Sequence, residues 1–188
     1  MIQSGKCKVL VIMGSVRAKR HCPTLAAWIA KIGQAETDLT FELVDLTAWS
    51  LPMDDEPNIP ATGLYLHPHT RKWGEKIAQA DAFVFVSPQY NWGYPAVLKN
   101  AIDHCYHEWR GKPLLIVTYG GHGGGKCAAQ LKQVAEGLKM RLVSTMPGLT
   151  LTREMIDGAP ITPDMDFKEQ RPQIQQGCSE LAEMVSTS

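Results

Sequence analysis

The sequence carries no net charge, because its 19 Lys and Arg residues are matched by 19 Asp and Glu residues. A chain without an excess of positive charge has no overall field to attract nucleic acid or an anionic membrane. We therefore expect neither of these as a partner. Any site for an anion must be built from a local group of residues.

Paired cysteines and long hydrophobic runs are also missing. The five cysteines are widely spaced, with no CxxC pair and no spacing typical of metal ligands. The longest aliphatic run, residues 9–13, is far shorter than a membrane-spanning helix, and the first residues form no signal-peptide core. These features predict a cytoplasmic protein with reduced thiols and no bound metal.

What the sequence does contain is an alternation of short apolar runs and longer segments with helical spacing. The runs predict strands over residues 8–13, 41–45, 82–87, 114–119 and 141–144. The spacing predicts helices over residues 24–34, 70–80, 95–106 and 126–139. Runs that are apolar on both faces suit buried parallel strands. The pattern therefore predicts one α/β domain, residues 1–188, with a doubly wound sheet.

Two segments show no periodicity. Residues 46–68 contain four prolines and predict a long surface loop, which is a candidate cover for a ligand. An irregular carboxy-terminal extension begins at about residue 147 and continues to residue 173. A short final helix follows it, and we regard this helix as a candidate contact with a neighbouring subunit.

The loop after the first predicted strand has the composition of a phosphate site. It reads GSVRAKRHCPT at residues 14–24 and places Gly14 and Ser15, together with three cations, directly before a helix. Free N–H groups at a helix N-terminus and guanidinium groups both bind phosphate oxygens. In a parallel sheet, ligands bind at this edge, beyond the carboxyl ends of the strands. The alternative interpretation is a solvated basic turn.

The loop after the third predicted strand, SPQYNWGYP at residues 87–95, combines two prolines with aromatic residues. A ring system can lie against Tyr90 or Trp92, while the amides of Gln89 and Asn91 meet its polar edges. The alternative is an aromatic subunit interface, for which the candidate residues are Trp92, Tyr94 and Trp109.

The loop after the fourth predicted strand, YGGHGGGK at residues 119–126, has five glycines in eight residues. Glycine allows positive φ and close approach of the backbone to a planar ligand. The spacing from Gly120 to Lys126 also matches the GxxxxGK pattern of a P-loop. However, Cys127 follows the lysine where a P-loop requires Ser or Thr for magnesium, which argues against nucleotide hydrolysis.

Weaker signals favour ordinary structural roles. Cys22 lies near a helix N-terminus among cations, which lowers a thiol pKa, but no base or orienting partner is identifiable. His104, His107 and Glu108 do not have the spacing of a metal-binding helix. No side chain is therefore identified as a catalytic acid, base or nucleophile.

Three blocks of the sequence together resemble the NADPH-dependent FMN reductase family, which includes flavin-dependent quinone and azo reductases. They are GSVR after the first strand, SPQYNWGYPAVLKNAID after the third, and EWRGKPLLIVTYGGHGGGK around the fourth. The match runs in order from about residue 9 to about residue 149. The resemblance implies a flavodoxin-like fold, with a five-stranded parallel sheet in the order 2-1-3-4-5 and helices on both faces. It also implies bound FMN and an NADPH or NADH donor.

The resemblance further assigns residues by position. Ser15, Arg17 and Arg20 are implied to hold the FMN phosphate. The residues implied to flank the isoalloxazine ring are Pro88, Gln89, Tyr90, Asn91, Tyr119, Gly120, Gly121 and His122. Gln89 stands where many members carry Glu, which removes a negative charge beside the ring and favours the anionic reduced form. His21 and Cys22 also depart from the residues common in the phosphate loop.

The implied activity is an oxidoreductase that passes hydride from NAD(P)H through FMN to an acceptor, with donor and acceptor alternating at one site. A quinone is the first candidate acceptor; azo compounds, free flavin and metal oxyanions are others. FMN carries the reaction, so no catalytic side chain is required. The resemblance also implies a homodimer or a dimer of dimers. The alternatives are a flavodoxin-type electron shuttle and a flavin-binding regulatory protein without its own NAD(P)H turnover.

Overall fold

The computed structural model describes residues 6–53 and 55–187. Its strands are β1 Lys8–Met13, β2 Thr40–Asp45, β3 Ala82–Pro88, β4 Pro113–Gly120, β5 Arg141–Leu142 and β6 Gly148–Thr150. Its helices are α1 Cys22–Glu36, α2 Pro68–Ala78, α3 Ala96–Asp103, α4 Gly125–Gly137, α5 Arg153–Ile156, α6 Pro163–Asp166 and α7 Arg171–Ser186. Among the described residues, no helix is both long enough and apolar enough to cross a bilayer.

The sheet confirms the predicted strand order, β2-β1-β3-β4-β5, with parallel pairing throughout. The central strand is β1, in which Val11 pairs with Leu43 of β2 on one side and with Val84 of β3 on the other. The fifth position differs from the prediction because two short strands fill it. β5 pairs with the start of β4, and β6 pairs with its end.

A carboxylate from the last helix explains this interruption. Glu180 of α7 accepts hydrogen bonds from the backbone N–H groups of Ser144 and Thr145, at 2.8 and 3.0 Å. Burial opposes ionisation, but the bonds from Thr145, Gln176 and Ser144 outweigh it and lower the pKa of Glu180 to about 2. The N–H of Val143 still donates to the Leu114 carbonyl of β4, so the next N–H due to pair with β4 is that of Thr145, for which the carboxylate is the acceptor instead. The strand resumes at Gly148.

Helices cover both faces of the sheet, as predicted. In β1, Val9 and Val11 belong to the core shared with α1 and α7, whereas Leu10 and Ile12 belong to the core shared with α2, α3 and α4. All four side chains are fully buried. This arrangement explains why β1 is apolar at successive positions rather than at alternate ones.

The carboxy-terminal helix packs on the sheet of its own chain. α7 is 16 residues long, and its buried residues Ile174, Gly177, Cys178 and Leu181 pack in the core of the same chain. A Cβ atom placed on Gly177 would lie 2.7 Å from Leu115 Cδ1 of β4, so the helix and the sheet are in close contact. The helix is longer than expected, and a contact between its exposed face and a neighbouring subunit stays a prediction.

Trp109, a predicted interface residue, lies in the core instead. Its side chain is fully buried, its Nε1 donates to the carbonyl of Ile102 at 3.1 Å, and its ring packs on Phe83. An aromatic residue next to charged residues in sequence can still point inward when a loop folds back on the sheet. Trp109 is therefore removed as a candidate interface residue.

Candidate functional site

A cavity of about 480 Å³ lies at the carboxyl edge of the sheet, where β1, β3 and β4 end. This volume falls within the range of small-molecule sites. The lining residues are Arg17, Lys19, Arg20, His21, Pro88, Gln89, Tyr90, Tyr119, Gly120, Gly121, Leu151, Met155, Ile156, Asp157 and Gly158. The three predicted loops therefore meet at one site, as expected for the point where strand order reverses.

Most of the predicted site residues line this cavity, but Ser15, Asn91 and His122 do not. Ser15 is fully buried behind Tyr90, with its Oγ 2.9 Å from the Tyr90 hydroxyl. Asn91 and His122 are exposed beyond the wall of the cavity. None of the described residues of the 46–68 loop lines the cavity either, so that loop is not the cover that the sequence suggested.

The phosphate loop, residues 14–21, presents two arginines in different environments. The Arg17 guanidinium lies 3.8 Å from the centre of the Tyr90 ring and makes no ion pair with another described residue. Arg20 donates to Asp45 Oδ2 at 2.7 Å and to the Arg17 carbonyl at 2.9 Å. Its Nε is buried and has no hydrogen-bond partner among the described residues. Both guanidinium groups therefore retain N–H groups for an anion.

Backbone contacts in the same loop differ from the prediction. The N–H of Gly14 donates to the carbonyl of Val86 at 2.8 Å, so it is not available to a phosphate. Helix α1 begins at Cys22, two residues earlier than predicted, because Pro23 is tolerated in the first turn of a helix. His21 is the N-cap residue and makes no side-chain capping bond.

Residues 90–93 form a tight hairpin at the end of β3. Tyr90 and Gly93 exchange two backbone hydrogen bonds of 2.9 Å, and the two residues between them, Asn91 and Trp92, have φ of 48° and 70°. This is the backbone of a two-residue hairpin turn, which directs Tyr90 into the cavity wall. Trp92 is 67% exposed at the tip, below Lys126 Nζ at 5.0 Å, and does not line the cavity.

Gln89 lines the cavity and also caps the next helix, α4. Its Oε1 accepts hydrogen bonds from the N–H groups of Lys126 and Cys127, at 3.0 and 3.1 Å, in the first turn of α4. The side chain therefore satisfies two donors that a helix otherwise leaves open. Gln89 stands where many family members carry Glu, which indicated a change of charge beside the ring. The sequence did not indicate that this side chain also caps α4.

In the glycine-rich loop, the backbone positions that require glycine are Gly123 and Gly124. Their φ values are 70° and 81°, whereas Gly120 and Gly121 do not have positive φ. A Cβ atom on Gly124 would lie 2.7 Å from Thr118 Cβ. Gly120 and Gly121 instead line the cavity, where the lack of a side chain leaves room for a ligand. Lys126 points to Trp92 rather than into the cavity, which is unlike a P-loop lysine.

Cys22 is a buried thiol and not a nucleophile. Its Sγ donates to the carbonyl of Val86 at 3.3 Å, and burial raises its pKa to about 11 despite the hydrogen bonds and the Arg20 charge that act in the opposite direction. Burial, together with Cys22, also raises the pKa of Tyr119. Both groups are protonated near neutral pH, which agrees with the interpretation of Cys22 as an ordinary thiol.

The histidine clusters do not form a metal site. His107 Nε2 bonds to the carbonyl of Ala61 at 2.8 Å, and His69 Nε2 lies 3.0 Å from Asp55 Oδ1. Within residues 6–53 and 55–187, no group of three or more His, Cys, Asp or Glu side chains is arranged to hold a metal ion.

One wall of the cavity comes from a segment that the sequence did not identify. We call residues 151–158 the strap; five of them line the cavity, namely Leu151, Met155, Ile156, Asp157 and Gly158. The N–H of Leu151 bonds to the carbonyl of Gly120 at 2.9 Å, and His21 Nε2 bonds to the carbonyl of Met155 at 2.7 Å. The strap follows β6, and no periodicity or motif in its sequence indicates a role at the site.

Comparison with known proteins finds relatives that match most of this chain. A family model described as NADPH-dependent FMN reductase matches residues 7–149. The chain is 55% identical over 183 residues to an NAD(P)H-dependent FMN reductase of Schizosaccharomyces pombe, covering 96% of this chain and 92% of that protein. It is 32% identical over 139 residues to a quinone reductase of Escherichia coli K12, covering 70% of each.

A solved structure shows the same fold at low sequence identity. It is FerB, a flavoenzyme NAD(P)H:(acceptor) oxidoreductase from Paracoccus denitrificans, with a TM-score of 0.73 and 20% identity. The alignment covers 96% of this chain and 98% of that one. The strap begins after residue 149, where the match to the family model ends.

Proposed function

The chain belongs to the NADPH-dependent FMN reductase family, and from this premise we propose that it is an oxidoreductase that binds FMN in the cavity between its three loops. The electron donor is NADPH or NADH, and the acceptor is a small molecule, first of all a quinone. The observation that carries the proposal is that two arginines, a wall formed by residues 88–90 and two glycines without side chains line one cavity.

The phosphate end of FMN fits the loop at residues 14–21. Arg17 has no competing ion pair among the described residues, and its planar guanidinium can bind two phosphate oxygens at once. Arg20 is held by Asp45, yet its buried Nε has no acceptor, and a buried donor without a partner costs free energy that a phosphate oxygen would recover. Ser15 remains part of this proposal, although its hydroxyl also bonds to Tyr90.

The Arg20 contact depends on Asp45 remaining a carboxylate. Burial acts against ionisation, but hydrogen bonds from Thr47 and the neighbouring Arg20 lower the pKa of Asp45 below its ordinary value. The carboxylate at the end of β2 therefore holds the Arg20 guanidinium at the phosphate end of the cavity near neutral pH.

The ring end fits the walls formed by Pro88, Gln89 and Tyr90 on one side and Tyr119, Gly120 and Gly121 on the other. Gly120 and Gly121 allow a flat ligand to approach the backbone, and the Pro88 ring closes the end of β3. Asn91 and His122 lie outside the cavity wall but flank these segments, so we retain them as candidate contacts at the ring edges.

When bound, FMN supplies the redox chemistry by accepting hydride from the nicotinamide and passing electrons to the acceptor. The chain's own residues bind and orient the reactants. Burial raises the pKa values of Tyr119 and Cys22, so both groups are protonated near neutral pH. A single cavity of this size favours donor and acceptor taking turns over the same face rather than binding together.

Steady-state kinetics tests this proposal. With NADPH and a soluble quinone varied together, double-reciprocal plots should be parallel, because the two substrates alternate at one site. Under anaerobic conditions, NADPH oxidation beyond one equivalent per FMN should require the quinone, and none should occur without FMN. Intersecting lines would contradict the shared site, and protein that needs a separate reductase to pass electrons would instead be a flavodoxin-type shuttle. FMN binding without NADPH oxidation would favour a regulatory flavin-binding protein.

We also propose a homodimer or a dimer of dimers that uses the exposed hairpin tip. Trp92 is 67% exposed, and large exposed aromatic side chains are enriched at interfaces. Light scattering of the wild type should report an oligomer, and Trp92→Ala should lower the measured mass. Met165→Ala, which changes a residue that is 74% exposed on another surface, should leave it unchanged. A wild-type monomer at micromolar concentration would contradict this proposal.

We also propose that the protein is located in the cytoplasm. All five cysteines are free, and four of them are buried, which suits a reducing compartment where thiols persist. Fractionation of cells should place the protein with cytosolic markers, whereas its recovery with a secreted or membrane fraction would overturn the assignment.

A further inference from the structure

The strap bridges the two ends of the cavity. At the glycine-rich loop, the Leu151 N–H donates to the Gly120 carbonyl at 2.9 Å, which fixes the start of the strap at the ring end. At the phosphate loop, His21 Nε2 donates to the Met155 carbonyl at 2.7 Å. Just after the second contact, Ile156 Cδ1 would lie 3.4 Å from a Cβ atom on Gly121. A ligand that reaches from one loop to the other therefore lies against the strap, which lines the cavity between them.

Most of the strap is exposed, and Met155 is its partly buried residue. Residues 152–154 and 156–158 are exposed, α5 is a single turn, and the Met155 side chain packs against the core shared with α1 and α7. Beyond the strap, Ile161 packs against the same core, and the Asp164 carboxylate accepts from Trp28 Nε1 at 2.8 Å. Within the part of the chain that the structure describes, the His21–Met155 bond is the hydrogen bond that ties the strap to the phosphate loop.

The partners of this bond fix its direction. A backbone carbonyl can only accept, so the His21 Nε2 carries a proton and donates it. The contact therefore requires a side chain with a donor at this place.

We propose that His21 is a positioning residue that clasps the strap over bound FMN, so that the cofactor stays in place between turnovers. This rests on the proposed function, because it requires FMN to bind in the cavity. Retention of FMN also bears on the acceptor. Reduced FMN is then not released as a product, so the acceptor is a small molecule that enters the cavity and meets the bound cofactor.

The clasp has a distinctive kinetic signature. Because the bond joins two segments of the protein and not the protein to the cofactor, its loss makes opening of the strap easier for both entry and exit. The FMN association and release rates should rise by similar factors, while Kd stays within about twofold. A single neutral hydrogen bond corresponds to an increase of about 2- to 13-fold in each rate.

The experiment compares FMN-loaded wild type with three variants. Release is followed by FMN fluorescence in the presence of excess apoflavodoxin as a trap, and association is followed by stopped-flow mixing. His21→Ala should show both rates increased, and His21→Gln, whose amide also donates, should restore rates close to those of the wild type. The matched control is His107→Ala, which removes an equivalent 2.8 Å imidazole bond to the Ala61 carbonyl away from the cavity and should leave both rates unchanged.

Several results would overturn the clasp. Release from His21→Ala at the wild-type rate would show that the strap is not gated by this bond. Equal increases in His21→Ala and His107→Ala would indicate general loosening of the fold, and an increase in release alone would indicate direct contact with the cofactor. Failure of His21→Gln to restore the rates would exclude the donor role. In each of these outcomes the wild type still binds FMN. If the wild type binds no FMN, the proposed function is wrong, and the proposal for His21 is wrong with it.

Discussion

Gly120→Val should abolish FMN binding and leave a folded protein. Gly120 lines the cavity, and a Cβ atom there would make only an ordinary contact, 3.5 Å from Gln89 Cβ. Its φ is not positive, so valine does not strain the backbone at this position. The branched side chain should therefore be accommodated by the fold but occupy the space next to the glycine-rich loop that the proposal assigns to the isoalloxazine ring.

The measurement is FMN stoichiometry by absorbance after gel filtration, together with the thermal unfolding midpoint of the flavin-free protein. The matched control is Gly125→Val in the same loop, because a Cβ atom on Gly125 meets no atom within 4 Å and this residue does not line the cavity. Gly125→Val should bind FMN like the wild type. A yellow Gly120→Val holoprotein with full FMN content would place the ring elsewhere.

Arg17→Ala should weaken FMN binding by about 1.5–3 kcal/mol, the range for hydrogen bonds to charged groups, or about 10- to 150-fold in Kd. The exposure of Arg17 favours the lower part of this range, because solvent screens its charge. Riboflavin lacks the phosphate, so its affinity should be nearly unchanged. The wild type should accordingly bind FMN much more tightly than riboflavin, and the variant should lose most of that difference.

Fluorescence titration with both flavins measures these affinities. Arg17→Lys should fall between the wild type and Arg17→Ala, because lysine keeps the charge but loses the planar fork. Arg110→Ala is the control, since Arg110 is exposed and lies before β4, at the opposite edge of the sheet. An unchanged FMN affinity in Arg17→Ala would remove Arg17 from the phosphate site.

The elements that sequence alone predicts well are those whose pattern repeats over several residues. β1 was predicted at its observed bounds, because buried parallel strands are apolar at successive positions. The order of the main strands was also confirmed, but that prediction came from the family resemblance and not from the apolar pattern. The interruption between β5 and β6 was not predictable, because it depends on Glu180, more than 30 residues away in sequence. The inward orientation of Trp109 likewise depends on tertiary packing rather than on its neighbours in sequence.

The site was predictable where it lies directly after a strand. Arg17, Tyr90 and Gly120 each follow or end a central strand, and all three line the cavity. The strap was missed because its position depends on two contacts that no local pattern encodes, from the Leu151 N–H to the Gly120 carbonyl and from the His21 side chain to the Met155 carbonyl. Residues 46–68 were predicted to cover the ligand instead, because a long loop rich in proline is visible in the sequence whereas tertiary contacts are not.

The most direct test of the central claim is the visible spectrum of FMN-loaded, gel-filtered protein under anaerobic conditions. Addition of NADPH without an acceptor should bleach the flavin absorbance, and subsequent addition of a quinone should restore the oxidised spectrum at a rate consistent with turnover. Gly120→Val treated in the same way should show no flavin absorbance to bleach. Wild-type protein that retains FMN but keeps its oxidised spectrum after NADPH would contradict the account.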